Sequence, residues 1–213
     1  MSGVMVVSAV FPGIDWAKEI IIDTGDYIIN YLRSKGLEPE VLGKYMVRKP
    51  TLSNRLRRGS AGFIIYIGHG LAKSWTGSIR LGYDISIMGA LVKDVNDYLL
   101  SNRIVYSCSC DSLRELGPSA VKKGCIAFIG FDRKCLVRED DFDNDNLIDV
   151  VDVLSVPVRM LINGFSVKHA VDAFKIGCLW YMEFADRGSE YYNTMKRNME
   201  GIGWVGDGDA KLF

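Results

Sequence analysis

The chain holds only two histidines. One of them, His69, stands between Gly68 and Gly70 at the end of an unbroken apolar run, Phe63-Ile64-Ile65-Tyr66-Ile67. Such a run reads as a strand buried on both faces of a parallel sheet, and open α/β sheets gather ligands outside the carboxyl ends of their strands. Further along, Ile104-Val105-Tyr106 begins a second β-rich run that leads into Ser107-Cys108-Ser109-Cys110-Asp111-Ser112. If the two strands are neighbours, about 5 Å apart, an imidazole and a thiol come within reach of each other. Brought together by a fold, those two groups are a base and a nucleophile. The bland alternatives are a structural histidine in a glycine turn and a cysteine serving as a small buried hydrophobe. A position just past a strand end favours chemistry for both.

The elements that must position this pair follow from the rest of the chain. Its 213 residues suffice for a sizeable core in one domain spanning 1–213, and 48% hydrophobic with 24% charged residues is ordinary globular composition. Lys plus Arg equals Asp plus Glu at 26 each, so no global field points to nucleic acid or to a membrane. No apolar run approaches the ~20 residues that span a bilayer. MSGVMVVSAVF, which lacks a basic flank and a cleavage site, reads as a first strand and not a signal peptide. Five cysteines, an odd number, fit a reduced, cytoplasmic protein.

In chain order, Val4 to Phe11 reads as strand one, closed by Pro12-Gly13; Asp15 can cap a helix that carries Trp16 and runs to about Ser34. Glu38 to Val47 holds a more polar strand suited to a sheet edge, and Leu52 to Arg58 a short basic helix. Leu71 to Gly82 reads as a loop bearing Trp75, which either walls a substrate site or pins its loop to the body. Ile85 to Leu100 reads as helix by pattern. Ser112-x-x-Glu115 fits a capping box, whereas Pro118 suits a first helical position; on either reading Cys110 precedes a helix N-terminus, whose dipole favours thiolate. Cys125 to Gly130 is the next buried strand. Helices follow over Leu147 to Ile162, Ser166 to Phe184 and Glu190 to Met199. The second is patterned through Val167, Ala170, Val171, Phe174 and Leu179, and the tail from Gly201 to Phe213 has Trp204, Leu212 and Phe213 to dock it. Alternating strands and helices argue for a parallel sheet covered on both faces.

An apolar strand ending in His-Gly, then one ending in a cysteine followed by helix and strand, resembles the caspase-like (clan CD) cysteine peptidases, most of all their gingipain and CHAT branches. Tyr66-Ile67-Gly68-His69-Gly70 with Trp75 shortly after is similar to the gingipain-type histidine motif. Val105 to Ser112, then Leu116-Gly117 and Gly124 to Gly130, resembles the cysteine block, and Trp204-Val205-Gly206-Asp207 the segment that ends such domains, with Gly208 where they have proline. The resemblance implies a three-layer α/β/α sandwich with a mostly parallel sheet. It implies a cysteine endopeptidase acting on protein or peptide substrates, and it leaves calcium as a structural ion. Alignment of the flanks favours Cys110 as nucleophile and makes Cys108 a small wall residue. The acid that basic-specific members carry near this point has no counterpart here.

His69 then serves as general base, and the backbone N–H groups of Gly70 and Cys110 form the oxyanion hole, since glycine lets the backbone approach the developing charge. Such chemistry needs no metal or organic cofactor. Cys125, Cys135 and Cys178 read as structural, and His169 as a surface or half-buried helix residue. Asp132, past a strand end, either faces the cleft and binds a basic side chain or is a surface acid. Cys108-x-Cys110 lacks the partner pair a zinc site needs. Asp141-x-Asp143-x-Asp145 begins like a calcium loop, but Asn146 stands at the sixth position and no glutamate at the twelfth, so a solvated acidic segment from Glu139 to Asp149 is the favoured reading. The rivals to an enzyme are a catalytically silent caspase-like module that binds a partner protein, and a nucleotide-binding domain. For the latter only Pro12-Gly13, and no glycine-rich loop, follows strand one.

Overall fold

Strand-forming runs and amphipathic segments alternate along the chain, and the computed structural model turns that alternation into three layers. It describes residues 3–10, 17–44, 47–81, 85–93, 95–135 and 144–213. The expected strand end at Phe11, the turn Pro12-Gly13, the cap Asp15, Trp16, and Glu139 to Asp143 lie outside these. The central sheet contains β1 (Gly3–Ala9), β2 (Glu40–Lys44), β3 (Ala61–Gly68), β7 (Ile104–Cys108), β8 (Ala127–Phe131) and β9 (Ile202–Gly206), in the order β2-β1-β3-β7-β8-β9. All its pairings are parallel except β8 with β9. The more polar β2 takes the edge, as its composition suggests.

Successive side chains of a strand point to opposite faces, and β3 is covered on both. Phe63, Ile65 and Ile67 pack with α1 (Lys18–Ser34), α4 (Asn144–Ile162), α5 (Val167–Glu183) and α6 (Glu190–Gly201). Ile64 and Tyr66 pack on the other side with Leu52 and Leu56 of α2 (Lys49–Arg58), Leu116 and Ala120 of α3 (Leu116–Lys122), and Trp75. No polar alternation is left in β3 because neither face meets water. At the amino ends of β3 and β7, Arg103 fixes their alignment by donating to the carbonyls of Ala61 (2.9 Å), Leu99 (2.6 Å), Ser101 (3.2 Å), Leu56 (2.8 Å) and Gly59 (3.3 Å).

The segment between β3 and β7 departs from the sequence reading. Over the described residues, 71–81 do not form a loop, nor do 85–93 and 95–100 form a helix; Gly82 lies outside the described residues. β4 (Gly70–Leu71), β5 (Ser74–Leu81) and β6 (Ile85–Lys93) form a separate antiparallel sheet, and only Asp97–Leu100 winds, as a 3₁₀ turn. Ile85-Ser86-Ile87-Met88 alternates with a strand's period. Its apolar content suits either element, and the nearby partner Ser74–Leu81, with Ile79 opposite Ile87, decides for pairing. In α5 the buried row runs Val167, Ala170, Val171, Phe174 and Cys178, leaving Leu179 exposed. The tail also gains structure: β9 buries Ile202 against β8 and Leu212 packs on the core, whereas Trp204 and Phe213 are exposed. Among the described residues no helix is long and apolar enough to cross a membrane.

All five cysteines are free thiols. Burial pushes the Cys125 and Cys178 thiols up to about 12. The unfolded chain releases those protons near 9, so between 9 and 12 it binds fewer protons than the folded chain and stability falls as pH rises. The expected slope is about 1.4 kcal/mol per pH unit for each thiol. Denaturant melts from pH 8 upward measure it; Cys178→Ala should flatten the slope, and a level wild-type profile would contradict the assignment.

Candidate active site

β3 and β7 are adjacent and parallel, with Ile67 opposite Cys108. Each chain leaves the sheet at the same end, so His69 and Cys110 emerge side by side. Both line one small cavity, of about 50 Å³, together with Cys108, Ser109 and Cys135 and with Leu154 as part of its apolar wall. That is room for one or two waters, enough for reacting atoms and too little for a substrate side chain. Cys108 is buried and Cys110 half-buried, so Cys110 is the more accessible residue of this pair.

Local bonding fixes each half. The His69 carbonyl accepts from the Thr76 N–H at 3.0 Å. The Tyr66 hydroxyl lies 2.7 Å from the His69 carbonyl and 2.6 Å from that of Thr76, so one proton serves both. Since His69 and Thr76 form the hydrogen-bonded pair, Gly70 and Trp75 occupy the alternate position of the antiparallel ladder, where backbone N–H groups turn away from the partner strand. Trp75 stacks on Tyr66, with centroids 4.4 Å apart and planes within 6°, and its Nε1–H donates to Ser107 Oγ at 2.8 Å. Ser107 Oγ in turn meets Ser109 Oγ at 2.8 Å. The two motifs also abut directly: a Cβ on Gly70 would lie 2.7 Å from Ser109 Oγ and 2.8 Å from the Cys110 carbonyl.

The turn after Cys110 is equally constrained. Asp111 sits at φ 55, a region Asp tolerates better than most residues. Its N–H donates to the Arg133 carbonyl at 3.0 Å, and Leu113 N–H to that of Phe131 at 2.9 Å. Ser112 does not cap the helix; its hydroxyl donates to the Ser109 carbonyl and accepts from Phe131 N–H. α3 starts only at Leu116, with Glu115 at the N-cap and Pro118 within the first turn. Cys110 therefore precedes the first turn of α3 by too many residues for the helix dipole to act on it. Burial instead pushes its thiol up, helped by the Asp111 carboxylate and the neighbouring Cys108, against a backbone contact with Cys135 and the charge of Lys134. Iodoacetamide should accordingly modify Cys110 slowly at pH 7 and about tenfold faster per pH unit toward and past 9; a rate already level below pH 8 would contradict a neutral resting thiol.

Cys135, expected to be merely structural, belongs to the site. Its carbonyl accepts from the Cys110 thiol at 3.5 Å, and its own thiol is held well above the ordinary range by a hydrogen bond with Cys108 and by burial. Trp75 is fully buried, so it pins the hairpin beneath the site and does not wall it. Asp132 does not line the cavity; it is exposed and paired with Arg133 at 2.9 Å. His169 is exposed on α5 and bonded to Ser166. Among the described residues no three His, Cys, Asp or Glu side chains gather to hold a metal. The calcium-like segment lies mostly outside them, with Asp145 already in α4.

No family model matches the chain, and no curated protein matches its sequence. Solved structures do match its fold. One, described as a protease, has a TM-score of 0.64 at 14% identity over 99% of this chain and 48% of the other. A complex of the pro- and mature domains of Porphyromonas gingivalis RgpB gives 0.65 at 12% identity, over 98% of this chain and 48% of that one. Gingipain R (RgpB), described as an Arg-specific cysteine proteinase, gives 0.61 at 13% identity over 99% and 47%. The chain spans about half the length of the structures it matches. It has the caspase-like α/β/α fold that gingipain R displays.

Proposed function

We propose that the chain is a cysteine endopeptidase in which Cys110 is the nucleophile and His69 the general base. The observation that supports this reading is that His69 and Cys110 both line one cavity past the carboxyl ends of adjacent parallel strands. Because the resting thiol is neutral, His69 takes its proton as the sulfur closes on the scissile carbonyl carbon. The C–N bond then breaks, and the imidazolium returns the proton to the leaving amine. Water, deprotonated by His69, hydrolyses the thioester and frees the sulfur. The oxyanion of each tetrahedral intermediate is held by the N–H groups of Gly70 and Cys110, two segments so close that a Cβ on Gly70 would lie 2.8 Å from the Cys110 carbonyl. No metal or organic cofactor enters these steps. The substrates are peptides or proteins; the named pro-domain complex concerns the gingipain and not this chain.

The test is reaction with a peptidyl acyloxymethyl ketone, with the modified residue located by mass spectrometry. Label on Cys110 supports the reading, and its loss in His69→Ala supports the pairing. Label on Cys108 would transfer the nucleophile's role. A chain that neither reacts nor cleaves any peptide library, before or after limited proteolysis, would be a silent binding module on the same fold.

A further inference from the structure

The short loop after β8 joins the nucleophile's turn to a cationic groove. Arg133 and Cys135 each bind that turn through their carbonyls, at 3.0 Å to Asp111 N–H and 3.5 Å to the Cys110 thiol. Lys134 is thus held between two residues tied to Cys110 and Asp111. Arg133 and Lys134 also line an open groove of about 520 Å³, whose other wall is Asn193, Lys196, Arg197 and Glu200 of α6. Those four residues recur at the spacing that shares one helix face. The acids nearby are already engaged: Asp132 and Glu200 both clasp Arg133, at 2.9 and 3.0 Å. Lys134, Lys196 and Arg197 make no ion pair among the described residues. Three like charges gathered without counter-ions repel one another, and a carboxylate placed among them relieves that repulsion.

We propose that this groove is the subsite for an acidic side chain, Asp or Glu, of a peptide bound beside Cys110. The inference rests on Cys110 being the nucleophile. Of the two readings of Asp132 it sets aside the one in which that residue binds a basic side chain, since Asp132 and Glu200 are paired with Arg133 and, counted with Lys134, Lys196 and Arg197, the groove keeps a net positive charge that an incoming arginine would meet. The preference also has the opposite sign to the one in the description of gingipain R.

Binding is measured on Cys110→Ala protein by anisotropy of labelled peptides that differ at one position: Asp or Glu, their amides Asn or Gln, and Arg. The acidic peptides should bind about tenfold tighter than the amides, with the gap narrowing as salt rises. Lys134→Glu combined with Lys196→Glu should reverse the order. Equal affinities, or tighter binding of the Arg peptide, would overturn the subsite. Wild-type protein is treated in parallel with acyloxymethyl ketones carrying Asp, Ala or Arg next to the ketone. Fastest labelling of Cys110 by the Asp reagent supports the proposal. Labelling without that preference overturns the subsite and leaves the dyad standing. No labelling by any of the three removes the dyad, and with it the groove's role as a substrate subsite.

Discussion

Cys110→Ala is expected to lower peptide hydrolysis by on the order of 10³-fold or more while barely moving the melting temperature. Cys110 is half-buried and lines a cavity of only about 50 Å³. Removal of its sulfur therefore opens little new void, and the stability change should stay below about 1–2 kcal/mol. His69→Ala should show a loss of similar size. The double variant should lose no more than the worse single, because proton acceptor and nucleophile act as one unit. Additive losses would mean that the two residues serve different steps, and full activity in either single variant would remove the dyad. The pH profile supplies a separate check: with the thiol raised by burial, wild-type turnover should climb from neutral toward alkaline pH before the fold itself weakens.

Gly70→Val is expected to damage both activity and folding, through geometry and not through chemistry. Even the first carbon of a side chain would lie 2.7 Å from Ser109 Oγ and 2.8 Å from both Ser109 Cβ and the Cys110 carbonyl. One of these atoms is backbone, so no rotamer change clears the way and the nucleophile's turn must shift. Overpacking of this kind costs about 1–3 kcal/mol, and displacement of a reacting group by about 1 Å costs about 10²-fold in rate. Gly43→Ala is the control, since among the described residues, its chain neighbours aside, nothing lies within 4 Å of its added carbon; it should stay within about 0.5 kcal/mol of wild type. Hydrolysis rates and thermal melts of the two variants, measured together, decide it. A Gly70→Val chain with normal turnover would show that the His69 and Cys110 segments do not meet in solution as they do here.

The layers and the parallel sheet were legible because β3 carries the unbroken apolar run Phe63 to Ile67 and β7 opens on Ile104-Val105-Tyr106. That pattern arises only where both faces are covered, and it set His69 and Cys110 at one end of the sheet before any coordinates. The hairpin β5–β6 was not legible. A run such as Ile85 to Val92 satisfies helix and strand alike, and the deciding partner is another segment of chain. The two readings of Trp75 stayed open for the same reason: its burial depends on Tyr66 and Ser107, which the sequence does not place beside it. The dipole argument for Cys110 needed the helix start to within a residue or two, and α3 begins at Leu116. Cys135 and Lys134 could not be assigned to the site because only the folded loop brings residues 133–135 against the Cys110 turn. The spacing of Asn193, Lys196, Arg197 and Glu200 was the one available sign of a shared face, but nothing in it pointed toward Cys110.

The Tyr66–Trp75 stack has an optical consequence. Two aromatic rings stacked 4.4 Å apart with nearly parallel planes couple their transitions in a fixed chiral arrangement, which gives near-ultraviolet circular dichroism that disappears when packing loosens. Tyr66 bonds to the His69 carbonyl and Trp75 to Ser107, two residues before Ser109. The band therefore originates from a pair that touches both halves of the site, whereas Trp180 and Trp204 are exposed. Its intensity reads out, without any substrate, whether the two strand ends are still in register.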